Sequence, residues 1–389
     1  MVYFGKWADP VAAERLYQQQ AADLHAGRKP RVQADGGITV KEMVNRFLES
    51  KKALVDSGEI RRLTWVDYQE TGQRICDAFG RERLAADVGG DDFEAFRNQL
   101  AKKWSPVTLG NELNRVRVLF KWAYDSGLLD RPMRFGPGFK RPSKKVLRIE
   151  RAKKGPKMFE AESIRRLLGL SPWRLAANQP LAAMILLGVN CGFGNNDVGT
   201  LPLSAVNLEA GWIDFARPKT GIPRRCKLWP ETVAALREAL ARRPEAKKPE
   251  DAGLFFITSK GDRWAKETTD NPIAKEMAKL LRALGMNRPG LGFYGLRHTF
   301  ETIGGESRDQ VAVSAIMGHA PAGNDMSAVY RERISDDRLA AVAEHVRSWL
   351  FPSPASGDGQ PAGAQQTAAG EASEQDGDSE PRILRMRRA

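Results

Sequence analysis

Apolar residues recur at helical spacing along most of the chain. Thr39 and Glu42 form a capping-box pair, and Val40, Met43, Val44, Phe47 and Leu48 behind them follow the template of one buried helix face. A second helix runs from about Thr64, with Trp65, Tyr68, Ile75 and Phe79 apolar and Gly80 as its stop. A third carries Phe93, Phe96 and Leu100. A fourth starts at Ser105 as cap and Pro106 as first helical residue, sets Leu109, Leu113, Val116, Phe120 and Ala123 on one side, and ends near Gly127. Residues 37–130 thus read as a small four-helix domain whose aromatics fill its core rather than stack on bases. Ahead of it, residues 1–36 form an N-terminal segment in which Pro10 to Ala26 suits one helix and Gly27 to Arg31 is short and basic.

Beyond residue 157 the period changes repeatedly. Ile164, Leu167 and Leu168 suit a helix, and Leu181 to Val189 suits a buried one. Trp212 to Phe215 reads as a strand, Pro218-Lys219-Thr220-Gly221 as a turn, and Cys226 to Leu228 as the returning strand. Pro230 opens a helix through Val233, Leu236 and Leu240, and Leu254 to Ile257 suggests another short strand. Ile273, Met277, Leu280, Leu281 and Leu284 mark a further helix closed by Gly285, and the chain is helical again to about Leu350. Residues 158–350 therefore read as a mainly α domain with a small antiparallel sheet.

Composition narrows the function classes. The 389 residues carry 61 Lys and Arg against 48 Asp and Glu, a net charge of +13, which favours a polyanionic partner. The charge is concentrated: residues 131–157 hold eleven Lys or Arg and a single acid, Glu150. Pro132, Pro137, Pro142 and Pro156 make that stretch a poor continuous helix, so it reads as a basic linker, with Lys140, Arg141, Lys144, Lys145, Lys153 and Lys154 as a strap for a phosphate backbone. Residues 351–389 are rich in Ala, Gly, Ser, Gln and acids, a composition that reads as a disordered tail. The longest apolar run, Leu181 to Val189, is far short of a membrane span, and no export signal opens the chain. Cys76, Cys191 and Cys226 form no paired motif, as expected in a reducing cytoplasm, and the four histidines show no metal-ligand spacing.

Four separated segments carry chemistry. Tyr294-Gly-Leu-Arg297-His298-Thr299 is followed by Gly318-His319 and then by Tyr330, while Lys219 sits upstream in the hairpin turn. In this order, behind a helical domain and a basic linker, they resemble the tyrosine recombinase (phage integrase) family. The resemblance implies a SAM-like core-binding domain followed by a mixed α+β catalytic domain. It implies that Tyr330 attacks a phosphodiester of double-stranded DNA, forming a 3′-phosphotyrosyl link and freeing a 5′-hydroxyl. Arg297 and His319 would stabilise the non-bridging oxygens, Lys219 would protonate the leaving oxygen, and Tyr294 stands where the family usually has His or Lys. His298 and Asp197 would be supporting residues. The family needs no metal or cofactor, and its members assemble as tetramers on paired sites, here in the cytoplasm at the nucleoid. The chemistry of the residues agrees: a phenol is a weak nucleophile at neutral pH without proton acceptance and cationic neighbours, and charge-assisted donors favour a transferring phosphoryl group.

One position departs from the family. Its first arginine box reads Gly-Leu-Arg with an acid three residues on, whereas this chain reads Gly192-Phe193-Gly194-Asn195-Asn196-Asp197, so Gly194 stands in the arginine's place. Asn195, Asn196, or one of the hairpin arginines Arg217, Arg224 and Arg225 is then the substitute donor. Otherwise the chain binds DNA without cutting it. A nicking–closing enzyme of topoisomerase type is a third reading of the same residues.

Overall fold

The computed structural model describes residues 9–25, 37–169, 179–266, 268, 270–321, 323 and 325–352. The basic segment Gly27–Arg31 and nearly all of the expected tail lie outside the described residues. The compact unit that ends at Phe351 holds two apolar cores.

The first core is built by α2 (Val40–Asp56), α3 (Arg62–Phe79), α4 (Gly90–Ala101) and α5 (Pro106–Asp125), preceded by α1 (Pro10–His25). The caps are those read from sequence: the Thr39 hydroxyl accepts from the Glu42 amide at 3.2 Å, and Ser105 caps α5 with Pro106 in its first turn. Phe79, Phe93 and Phe120 pack edge to face inside, with Phe79 and Phe93 5.1 Å apart at their ring centres, and Phe47 packs edge to face on Tyr68 and Trp122. Glu112 lies in this core at 1% exposure, and it is satisfied by the Thr71 hydroxyl at 3.0 Å, Arg74 at 2.8 Å and Arg115 at 3.4 Å. A buried carboxylate with three donors avoids the large cost of an unpaired charge.

The basic segment is not irregular throughout. Phe139 is fully buried in the first core, and Lys144–Lys154 form a helix, α6, capped by Ser143. The stretch is not one continuous helix: residues 131–143 are irregular, and the helix falls between Pro142 and Pro156, which bracket it instead of interrupting its hydrogen bonds. Lys144, Lys145, Lys153 and Lys154 are exposed on it, as are Lys140 and Arg141 ahead of it.

The second core gathers α7 (Ala161–Leu168), α8 (Gln179–Asn190), α10 (Pro230–Ala241), α11 (Pro272–Ala283), α12 (Gly295–Glu306), α13 (Gln310–Met317) and α15 (Asp336–Leu350), with the short helices α9 (Asn195–Gly199) and α14 (Met326–Tyr330) between them. Three strands, β1 (Val206–Asn207), β2 (Trp212–Asp214) and β3 (Arg225–Lys227), form one antiparallel sheet in that order. Ile213 faces Cys226 and Asp214 faces Arg225. Strand β1 had no signal in the sequence, being two residues long. Leu254 to Ile257 does not form a strand: it contributes only isolated bridges, Leu254 to Pro202 and Ile257 to Arg263. No helix among the described residues is long and apolar enough to cross a membrane.

Candidate active site

The site starts from α12. Gly295 opens this helix where an added Cβ would lie 2.7 Å from the Lys157 carbonyl and 2.8 Å from the Phe159 ring, so only glycine lets the helix sit this close. The Thr299 hydroxyl accepts from the Phe159 amide at 2.8 Å and fixes the same contact one turn later. Arg297 is thereby held at 2% exposure. Its Nη1 donates to the Gly192 carbonyl at 2.6 Å, and its Nη2 donates to the Met317 carbonyl at 2.9 Å and to His319 Nε2 at 2.8 Å. Because a guanidinium only donates, Nε2 of His319 is the acceptor and Nδ1 carries the ring proton. That Nδ1 lies 3.7 Å from Glu301 Oε2, a buried oxygen with no hydrogen-bond partner among the described residues.

His319 reaches Arg297 because α13 ends in Gly318, whose φ of +62° is the left-handed conformation that ends a helix. A Cβ there would also lie 2.7 Å from Arg224 Cδ and 3.0 Å from Arg217 Cβ. The glycine therefore serves both the turn and the packing of two hairpin arginines against it.

Those arginines come from the loop that joins β2 and β3. The Phe215 amide bonds the Arg224 carbonyl at 3.0 Å and the Arg217 amide bonds the Ile222 carbonyl at 2.8 Å, so the antiparallel pairing continues past the strands into the turn that holds Lys219. Side chains alternate along such a ladder. Cys226 faces the core, Arg225 faces out, and Arg224 faces in again. Arg225 bonds Asp214 and Asp336 at 2.5 and 2.8 Å. The Arg224 guanidinium is buried over the Phe193 and Phe215 rings, 4.3 and 5.3 Å from their centres. Its Nε donates to the Phe215 carbonyl at 2.9 Å, its Nη2 reaches Asp197 Oδ1 at 3.4 Å, and its Nη1 has no partner among the described residues. Arg217 is half-buried and donates to the Gly318 carbonyl at 3.3 Å.

Asp197 holds the other side of the box. Its Oδ2 accepts from the Gly194 amide at 2.8 Å, which makes Gly194 the N-cap of α9. Burial, and then the Arg217 charge, push the Arg297 guanidinium below its ordinary value, and Arg224 adds to this. Burial likewise lowers Arg224 against the opposing pull of Asp197. His319 is pushed down by burial, then by Arg297 and Arg217, and His298 by burial, then by Lys157 and Arg297. Each shift has the sign expected where cations outnumber carboxylates in a dry site.

The structure thus brings Arg297, His319 and Asp197 together, with Gly194 beside them. Tyr294 is half-exposed, with its ring edge-on to His298 at 5.6 Å. Lys219 is exposed in the hairpin turn, and Tyr330 is 77% exposed at the end of α14. Among the described residues neither hydrogen-bonds Arg297 or His319. Sequence reasoning did not single out Glu301, and it left Arg224 as one of three equivalent arginines. The buried, apolar Cys226 was the available signal, because strand alternation puts Arg224 on its face and Arg225 on the other.

No protein-family model matches the chain, and no curated protein matches it. Solved structures do. A fragment of the Tn1549 transposon integrase in complex with a circular intermediate DNA is 17% identical, with a TM-score of 0.56 over 80% of this chain and 100% of that one. A lambda integrase dimer bound to a COC′ core site is 13% identical, with a TM-score of 0.54 over 77% of this chain and 100% of that one. A lambda integrase tetramer bound to a Holliday junction is 14% identical, with a TM-score of 0.53 over 85% and 92%. At these identities the likeness is one of architecture: the chain has the fold of the tyrosine recombinase integrases, mainly α, with a helical domain followed by a mixed α+β domain that carries a small antiparallel sheet.

Proposed function

We propose that this protein is a site-specific DNA recombinase or integrase that breaks and rejoins double-stranded DNA through a 3′-phosphotyrosyl intermediate. The observation that carries the reading is the Arg297–His319 pair, locked on the carbonyls of Gly192 and Met317 in a site where guanidiniums outnumber carboxylates. Such a frame suits a phosphodiester, whose transfer depends on positioning and charge stabilisation. In the reaction Tyr330 Oη attacks phosphorus and gives up its proton to solvent, to which it is exposed. The P–O5′ bond breaks as the tyrosyl ester forms, and the leaving 5′-oxygen takes a proton from Lys219. Arg297 and His319 hold the non-bridging oxygens, Tyr294 donates to the same phosphate, and His298 and Asp197 support the frame. The exposure of Tyr330 fits a nucleophile that meets its phosphate only once DNA is bound. The basic residues Lys140, Arg141, Lys144, Lys145, Lys153 and Lys154 grip the backbone on either side, acting in the cytoplasm at the nucleoid. The solved integrases include a tetramer on a Holliday junction, and assembly of this chain on paired sites is part of the proposal.

A second reading rests on Gly194: a DNA-binding protein on the integrase fold that has lost strand cleavage. Covalent trapping separates the two. Nicked duplexes randomised around the nick are incubated with the protein and analysed under denaturing conditions. The recombinase reading expects a covalent adduct that vanishes in Tyr330→Phe while DNA binding survives. An adduct of normal yield in Tyr330→Phe refutes Tyr330 as nucleophile. No adduct from the wild type leaves the DNA-binding reading.

A further inference from the structure

We propose that Arg217, on the hairpin, supplies the cation that Gly194 does not, binding a non-bridging oxygen of the phosphate alongside Arg297. The inference deepens the strand-transfer reading and rests on it.

Position 194 itself is crowded for the missing side chain. A Cβ there would meet two Tyr294 ring carbons at 3.2 and 3.3 Å and Asp197 Oδ2 at 3.5 Å, so the half-exposed tyrosine ring must shift before an arginine stem can start. The two asparagines do not replace it. Asn195 turns its amide to Asn271 at 3.4 Å, Asn196 is exposed, and neither carries charge.

The three hairpin arginines divide by environment. Arg225 lies on the outer face and is neutralised by Asp214 and Asp336. Arg224 is engaged with Asp197, the Phe215 carbonyl and two aromatic faces, with a side chain only 1% exposed. It has become the partner of the acid whose own box lacks an arginine. Arg217 differs from both. It forms no ion pair among the described residues, is half-buried rather than sealed, and its side chain makes a single hydrogen bond among them, to Gly318, the residue before His319. Its charge lowers the proton affinity of Arg297, Arg224 and His319 alike, so it stands within electrostatic reach of all three.

The charge balance points to an anion. Arg217, Arg224 and Arg297 oppose one another, Asp197 offsets Arg297 and Arg224, Glu301 faces His319, and Arg224 Nη1 is buried without a partner among the described residues. Buried cations in excess repel one another and are costly to hold in a dry site. A phosphodiester oxygen between Arg297 and Arg217 relieves that repulsion, and Arg217, with one 3.3 Å bond to break, is free to turn toward it.

The test uses Arg217→Gln, Arg217→Lys and, as an outer-face comparison, Arg225→Gln, with melting temperature recorded for each. On duplexes enriched for the wild-type adduct, Arg217→Gln is expected to slow adduct formation by about 10²–10³-fold, the usual loss for one transition-state donor. Lysine should recover part of the rate, Arg225→Gln should match wild type, and DNA affinity should stay within a few-fold. Replacing the scissile phosphate by a neutral methylphosphonate should close most of the gap between Arg217→Gln and wild type, because the charge that Arg217 serves has gone. Wild-type rates in Arg217→Gln, or an equal loss on both substrates, overturn the proposal. If the wild type itself forms no adduct, the strand-transfer reading falls, and a calorimetric titration with inorganic phosphate then judges Arg217 alone. About tenfold weaker phosphate binding in Arg217→Gln sustains the assignment, and equal or undetectable binding in both proteins overturns it.

Discussion

Replacing Asp197 by Asn tests the buried frame of the site. The substitution keeps the shape of the side chain and an oxygen for the Gly194 amide, now held at 2.8 Å, but removes the charge that faces Arg224. The two side chains are 9% and 1% exposed, so water cannot take over from the lost carboxylate. Breaking a buried pair by removing one partner costs about 3–5 kcal/mol, because the remaining charge stays buried. The long 3.4 Å contact and the stacking of the guanidinium on Phe193 and Phe215 argue for the lower end. For a domain of this size each kcal/mol lowers the melting temperature by roughly 2–4 °C. Asp197→Asn should therefore melt roughly 6–12 °C below wild type when followed by circular dichroism, at about 3 kcal/mol of loss. The double variant Asp197→Asn/Arg224→Gln removes the stranded charge and should regain much of that loss, a coupling visible in a double-mutant cycle. A drop of less than about 2 °C for Asp197→Asn, at most about 1 kcal/mol, would refute the buried pair. A double variant that melts as low as the single one would do the same.

Three further outcomes follow from the geometry. His319 and His298 are both held below the ordinary 6.5, so the unfolded chain binds protons first as pH falls. The stability they contribute is full above about pH 6.5 and lost as pH falls from there through their folded values; melting temperature should decline from pH 7 downward, less steeply in His319→Gln, and a pH-independent melt would contradict this. Neutralising Lys144, Lys145, Lys153 and Lys154 together should flatten the plot of log affinity for DNA against log salt by up to about 0.9 per lysine, and an unchanged slope removes α6 from the interface. Gly194→Arg should crowd the Tyr294 ring and add no covalent adduct in the nicked-duplex assay, whereas a gain would show that the site still lacks its cation.

Much of the architecture is legible one element at a time. The caps at Thr39 and Ser105, the apolar stripe of α2 and the unbroken apolar run of α8 are local facts, set by a few neighbouring residues and by helical period. The sequence also determined the order of the candidate site residues, with Lys219, Arg297, His319 and Tyr330 in turn, and the resemblance that follows from it. It did not show the helix at Lys144–Lys154 inside the basic stretch, because counting prolines ignores whether they fall inside a helix or at its ends.

Only the tertiary structure decided which cations share the site. Arg224 and Arg225 are adjacent and chemically identical, yet one is buried against Asp197 and the other reaches Asp336 on the opposite face. That division follows from the register that sets Ile213 against Cys226, a pairing between residues far apart in the chain. The Arg297–His319 bond, the seat of Arg217 beside Gly318 and the Tyr294 ring across position 194 likewise join segments from separate elements. Propensity and spacing act over a few residues, whereas a charged site is fixed by burial and by which distant groups the fold brings within a few ångströms.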